Sequence, residues 1–342
     1  MALKPPVEVP QGAIRLNTDS QKLEFFAQDQ WWEMATSQAA LTTGSGRAVF
    51  AGCYQHPAPA NLSDVIDYIS LSTEGNAVDF GNLLVAQGTG TSFGSVTRGI
   101  WAAGHNGSAR TNTLQYVTIP SAGNAIDFGD MTYTAGHGCG GCSSQVRGLV
   151  GGGNSPTNTI NYVTIASTGN ATDFGDLTQH RYGLAGCASP TRGVFSNGDK
   201  GPAYTNIIDY VTIASTGNAK DFGDAAMGNS SGNGGASNST RGLFCGGSGP
   251  SGTGGDFLDY ITIATTGNSQ DFGDGPVSGT NRFTAGAASA TRAVWCGGYH
   301  SGGRRNHIHY STIATLGNTT EFGQLTGSFS QHFGTSNCHG GL

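Results

Sequence analysis

Three patterns in this chain bring together residue types that could do chemistry. Asp-Phe-Gly stands at 79–81, 127–129, 173–175, 221–223 and 271–273, with Glu-Phe-Gly at 321–323. Such an element holds magnesium when a glycine-rich phosphate loop and a His-Arg-Asp loop accompany it. Here it recurs on a strand-type background without either, so these carboxylates are expected to bond turn amides. The second pattern is an arginine followed by small and apolar residues, at Arg47, Arg98, Arg147, Arg192, Arg241 and Arg292. It could form an anion-binding ring, but a residue repeated in every copy is read first as structural, bonding a neighbouring unit, with the repeated acid as one candidate partner. The third is Cys139-Gly-Gly-Cys142 near His137, half of a zinc site with no second pair at ligand spacing. Cys142, Cys187 and Cys338 share one repeat position and Cys245 and Cys296 another, held elsewhere by Ala, Gly, Ser or Phe, which marks them as small buried residues. A hydrolase needs a convergent carboxylate pair or a nucleophile with its base. No such set is legible, so the expectation is no enzyme, no metal and no cofactor.

The elements that position these residues are written in one repeat. Tyr68, Tyr116, Tyr162, Tyr210, Tyr260 and Tyr310 each begin a near-copy of Tyr-Val-Thr-Ile-Ala-Ser-Thr-Gly-Asn-Ala-x-Asp-Phe-Gly-Asp. A period near 50 residues filled with strand-type residues signals a radial or linear repeat fold. Each unit reads as four short strands: a small-residue strand, the Arg-Gly-Val-Phe strand with its glycines, a β-branched and aromatic strand, and the Asp-Phe-Gly strand. Glycine at 75, 123, 169, 217, 267 and 317 supplies the hairpin turn between the last two. No stretch has helical periodicity. The signature Tyr and Phe side chains are the expected filler between units, each able to bury about 150–250 Å².

The two ends complement each other. The segment 331–339 matches the first strand of a unit and has no second strand after it, while 46–52 is a second strand with no first. The expected fold is therefore all-β: a six-bladed β-propeller over 41–342, closed by its C-terminal strand, which also removes an open edge. The glycine doublets of the second strand and the aromatic of the third resemble Kelch-type propellers. That resemblance bears on architecture, since such folds serve many roles.

Composition narrows the function classes. There are 16 Lys plus Arg against 22 Asp plus Glu, a net charge of −6, and no basic run, which argues against a nucleic-acid surface. No apolar stretch approaches about 20 residues, so no membrane span is expected. The start lacks the apolar core of a signal peptide, so synthesis in a cytoplasm is expected and the Asn-x-Ser/Thr sequons carry no weight.

Residues 1–40 stand outside the repeat. Pro5, Pro6 and Pro10 make an extended leader. A small β-meander follows, with strands at 14–16, 22–26 and 30–34. A meander this short does not stabilise itself, so Phe25, Phe26, Trp31 and Trp32 are expected to pack on the propeller or on another chain. The stretch from Gly12 to Trp32, with Gly-Ala-Ile-Arg-Leu-Asn-Thr-Asp-Ser-Gln-Lys-Leu-Glu at its heart, resembles a module of bacteriophage tail and tail-fibre proteins. The Tyr-Val-Thr-Ile-Ala-Ser-Thr-Gly-Asn repeats are also similar to repeat proteins of phages, including cyanophages. The resemblance implies a virion component in several copies per particle, with 1–40 as an attachment arm and other tail proteins as partners.

Recognition is sought where the copies differ. The second-to-third and unit-to-unit loops share one face of such a fold and are long and mixed. They carry Tyr54, His56, His105, Arg110, Tyr204, Tyr299, His300, Arg304, Arg305 and His307, and Tyr133, His137, His180, Arg181, Tyr182, Arg282, Phe283, His332 and Phe333. Aromatic, His and Arg side chains on scaffolded loops suit a host-surface glycan or a protein neighbour. The expected function is a non-enzymatic phage tail or tail-fibre protein; a free-standing lectin or interaction propeller, and a carbohydrate-active enzyme, are the alternatives.

Overall fold

The computed structural model describes residues 10–17, 22–33, 46–55, 62–136, 138–153, 157–201, 203–226, 228, 230–249, 255–276, 284–300 and 303–338. The chain divides into two compact units, Met1–Gly44 and Ser45–Leu342. No helix occurs among the described residues.

In the first unit, β1 (Ile14–Asn17), β2 (Lys22–Ala27) and β3 (Gln30–Glu33) form an antiparallel meander. Gln28 and Asp29 turn the second hairpin with φ of 51° and 58°, the doubly left-handed geometry that matches strand twist. Period-2 alternation sorts the side chains. Arg15 pairs with Glu24 at 2.8 Å and lies 4.0 Å over the Trp31 ring, which meets Phe26 edge-on at 5.3 Å. The opposite face carries the cross-strand row Ile14, Phe25 and Trp32.

The second unit is an all-β, propeller-like set of antiparallel sheets, numbered I to VI here. Sheet I is Phe333–Ser336, Arg47–Ala51, Val65–Ser70 and Val78–Asn82; sheet II is Thr91–Gly94, Arg98–His105, Arg110–Thr118 and Ile126–Ala135. Sheet III is Gly140–Ser143, Arg147–Gly151, Thr159–Thr164 and Thr172–Asp176; sheet IV is Ala185–Ala188, Arg192–Ser196, Ile207–Thr212 and Lys220–Asp224. Sheet V is Gly234–Ser237, Arg241–Cys245, Phe257–Thr262 and Gln270–Asp274; sheet VI is Ala285–Ala288, Arg292–Cys296, Gly303–Thr312 and Thr320–Ser330. Sheet VI also carries Tyr299–His300 beside its third strand, and Cys53–Gln55 with Leu62–Ser63 beyond its fourth. In sheet I the first strand comes from the far end of the chain, with Phe333 opposite Ala51 and Ser336 opposite Ala48.

Burial grades across each sheet. The first and second strands are almost wholly buried, whereas the fourth is the more exposed, as in sheet IV. Small residues in the first strand let these strands crowd together, and their contacts run from sheet I through VI and back to I. The apolar core lies between consecutive sheets. One cluster joins Val49, Ile66 and Phe80 of sheet I to Trp101 and Val117 of sheet II, and another joins Ala48 and Ile69 of sheet I to Val294 and Phe322 of sheet VI.

The repeated residues are accounted for at these seams. Each arginine guanidinium stacks over the Tyr of its own sheet at 4.4–5.1 Å and donates to a carbonyl of the next sheet. Arg98 reaches Ile165 O at 2.8 Å, Arg147 reaches Ile213 O at 2.9 Å, Arg192 reaches Ile263 O at 3.0 Å and Arg241 reaches Ile313 O at 2.8 Å. Arg47 reaches Pro120 O at 3.0 Å and Arg292 reaches Leu71 O, in sheet I, at 3.2 Å. The partner is thus a carbonyl and not the repeated acid. Those acids are exposed (Asp79, Asp127, Asp173, Asp221, Asp271 and Glu321), and the turn is held by its Asn. Asn124 Oδ1 accepts from Asn82 N at 3.0 Å, and Asn170 Oδ1 from Asp130 N at 3.0 Å, in the preceding sheet. The Gly of Asp-Phe-Gly is required by the same seam: a Cβ on Gly175 would stand 2.5 Å from Gly217 O.

Candidate functional site

A second polar position recurs in the third strand and is buried. Asp67 accepts Thr326 N at 3.1 Å and Thr326 Oγ1 at 2.7 Å; Gln115 accepts Leu84 N at 2.7 Å; Asn161 accepts Thr132 N at 2.8 Å. Each anchors the preceding sheet's fourth strand or the residues just after it. Asp209 does so through Thr178, at 3.1 Å to N and 2.7 Å to Oγ1. It alone among these also meets a cation. Arg181 Nη2 lies 2.7 Å from Asp209 Oδ2, with both side chains at 0 % exposure, and Arg181 Nη1 donates to Asn197 O at 2.9 Å and Ile207 O at 2.7 Å. Burial lowers the guanidinium pKa, and the Asp209 carboxylate opposes that shift. Arg181 is therefore an internal strut and is not presented to a ligand.

The first strands enclose a cavity of about 200 Å³ where they meet. All six first strands contribute to its wall, through Thr91, Gly141, Ala185, Gly234, Ala285 and Gly334 among others. The loops that precede these strands, and the second-to-third loops of sheets IV and V, complete it with Tyr182, Asp199, Tyr204, Ser231, Asn233, Ser248, Gln331 and His332. The Tyr182 phenol donates to Asp199 Oδ2 at 2.7 Å; burial first, and then the carboxylate, push its pKa up to about 12. His332 is buried beside Phe50 and Phe329, and burial pushes its pKa down to about 3. Both of its ring nitrogens, and Thr284 Oγ1, are buried without a hydrogen-bond partner.

The loop residues singled out in the sequence divide into separate groups. Tyr182 and Tyr204 line the cavity, together with His332 and Phe333. Tyr133 is tied inward, its phenol donating to Gly152 O at 2.8 Å. His105 Nδ1 accepts from Gly107 N at 3.0 Å, shaping its own turn. Arg110 is exposed at the start of its strand with its stem over Gly136, and His180 is exposed. Tyr299, His300, Arg304, Arg305 and His307 form a half-buried group on the extra hairpin of sheet VI, where Arg304 Nε donates to Ser330 Oγ at 3.1 Å. This group lies apart from the cavity wall. Tyr54 belongs to Cys53–Gln55; His56, His137, Arg282 and Phe283 lie outside the described residues. In the arm, Phe25 and Trp32 are exposed and Phe26 and Trp31 half-buried.

Sequence reasoning missed Thr284, Asn233 and Ser231, because small polar residues near a strand start carry no signal until the strands converge. Cys139 and Cys142 are both buried, with Cys139 Sγ donating to Gly152 O at 3.4 Å. Among the described residues no group of three His, Cys, Asp or Glu side chains could hold a metal ion. Nor, among them, is any helix long and apolar enough to cross a membrane. No protein-family model and no curated protein matches this chain.

Proposed function

We propose that sheets I to VI are the blades of one closed, six-bladed Kelch-like propeller, and that the protein is a non-enzymatic virion component, a phage tail or tail-fibre protein. The arm attaches it to another virion protein, and the loop face binds a neighbouring protein or a host-surface glycan. Closure is supported by the C-terminal strand beside Arg47–Ala51, by the Arg292 bond to Leu71 O, and by first-strand contacts that return to sheet I. Several copies per particle would add avidity to weak single contacts.

The observation that carries attachment is the apolar row of the meander. Ile14 is 63 % exposed, Phe25 37 % and Trp32 47 %, on a sheet of three strands, the least that can stand by itself. An exposed contiguous apolar row of this kind marks an interaction face. It lies within the segment that resembles phage tail modules. The test compares the full chain with a variant carrying Ile14→Ser, Phe25→Ser and Trp32→Ser. Light scattering would give the mass of each, and tail fractions of the cognate particle would be probed for capture. The reading expects oligomer or tail capture for the parent and its loss in the variant, with unchanged melting of the propeller. Equal behaviour of the two chains in both assays would refute attachment through this face.

A further inference from the structure

We propose that the cavity at the convergence of the six first strands binds one neutral sugar ring, the terminal unit of a glycan; this rests on the reading of the loop face as a binding face. The wall is built from neutral groups. Tyr182, Tyr204, Ser231, Asn233, Thr284 and His332 line it, and none of its lining residues is Lys or Arg. Its one carboxylate, Asp199, already accepts from Tyr182 at 2.7 Å and from Gly201 N at 2.7 Å. Hydroxyls that donate and accept in turn match the hydroxyls of a sugar. An anion would meet Asp199 and no counter-charge.

Two lining residues also carry buried polar atoms without a partner, Thr284 at Oγ1 and His332 at both ring nitrogens, which lie behind the cavity surface and not on it. Burial keeps the imidazole neutral, so it adds no positive charge to the wall. Tyr182, Tyr204 and Phe333 add aromatic faces for the apolar side of a ring. Size sets the limit. At about 200 Å³ the cavity is smaller than the sites of drug-sized ligands, which start at roughly 300 Å³; it has room for one ring and not for a chain. The wall is also preformed. A Cβ on Gly186 would collide with Gly141 O, and one on Gly235 with Gly186 O, so neighbouring first strands touch through backbone and have little freedom to rearrange, which lowers the ordering cost of binding.

The test is saturation-transfer NMR on the full chain with free galactose, glucose, mannose and N-acetylglucosamine, beside glucuronate and N-acetylneuraminate. At least one neutral sugar is expected to bind, with neither anion bound. Tyr204→Ala should weaken that binding by on the order of tenfold, and Tyr204→Phe, which keeps the ring, by less; both should melt like the parent. A neutral sugar held equally by parent and both variants would place it elsewhere on the loops and overturn the cavity site, leaving the binding face intact. No signal from any sugar, or preference for the anions, would overturn the ligand class. Particle cross-linking from the loop face would then decide the broader reading by itself.

Discussion

The Arg181–Asp209 pair offers the sharpest test of how the sheets are held. Asp209→Asn keeps the shape and an oxygen for Thr178 but removes the carboxylate paired with Arg181, whose side chain has no exposed surface. Breaking one partner of a buried pair leaves an uncompensated charge and costs about 3–5 kcal/mol. Asp67 supplies an internal control. It occupies the same repeat position and makes the same two bonds, to Thr326 N at 3.1 Å and Oγ1 at 2.7 Å, with no arginine paired to it among the described residues. Burial raises the Asp67 carboxyl pKa, so Asp67→Asn removes a charge that is already disfavoured and should change stability by less than about 1 kcal/mol. Urea titration followed by tryptophan emission would read both variants, because Trp101 and Trp295 are fully buried. With a slope of about 3 kcal/mol/M, the Asp209 variant should unfold roughly 1–1.7 M earlier than the parent. Adding Arg181→Met should recover most of that loss, since an apolar replacement of the whole pair is often neutral or better. Equal midpoints for Asp209→Asn and Asp67→Asn, or no recovery in the double variant, would refute the strut.

Three further outcomes follow from the same packing. Gly175→Ala, at φ of 144° and with its new Cβ 2.5 Å from Gly217 O, should open the sheet III–IV seam and destabilise by about 2 kcal/mol or more, whereas Gly217→Ala has open space at Cβ and should cost less; thermal melts compare the two. His332 has its pKa lowered from 6.5 to about 3, so the unfolded chain binds the extra proton and the associated stability is full above pH 6.5 and lost as pH falls toward 3. That contribution should drop by roughly 2 kcal/mol by pH 5, and His332→Gln should flatten the pH dependence of the urea midpoint. Burial pushes Cys53 and Cys139 up to about 12 and half-buried Cys338 to about 11, so native alkylation at pH 8 should be slow everywhere and fastest at Cys338; mass spectrometry of timed digests would check the order.

The strands and turns were legible in the sequence because their causes are local. β-branched and aromatic alternation places a strand at Ile207–Thr212, and glycine at 217 supplies the left-handed turn at φ 152° that follows. The C-terminal strand was legible too, since 331–339 repeats the text of a first strand. The candidate site was legible only in part. Tyr182 and Tyr204 stand out as aromatics on variable loops, but Arg181 and Tyr133 look the same in sequence and face inward. Nothing local tells a loop arginine that will find a buried carboxylate from one that will stay in water.

By itself the sequence determined that this protein is a repeat of four-strand units with a separate meander arm, since repeat period, turn glycines and strand alternation are properties of short windows. Tertiary structure decided which repeated carboxylate matters, Asp209 inside and Asp221 outside, because that depends on the neighbouring sheet and not on the motif. It likewise decided where the repeated arginines point, since their partners are carbonyls some 70 residues away, as in Arg192 to Ile263. The cavity belongs wholly to that level: its wall gathers one or two small residues from each of six distant strands, and a surface assembled so sparsely leaves no contiguous trace in the chain.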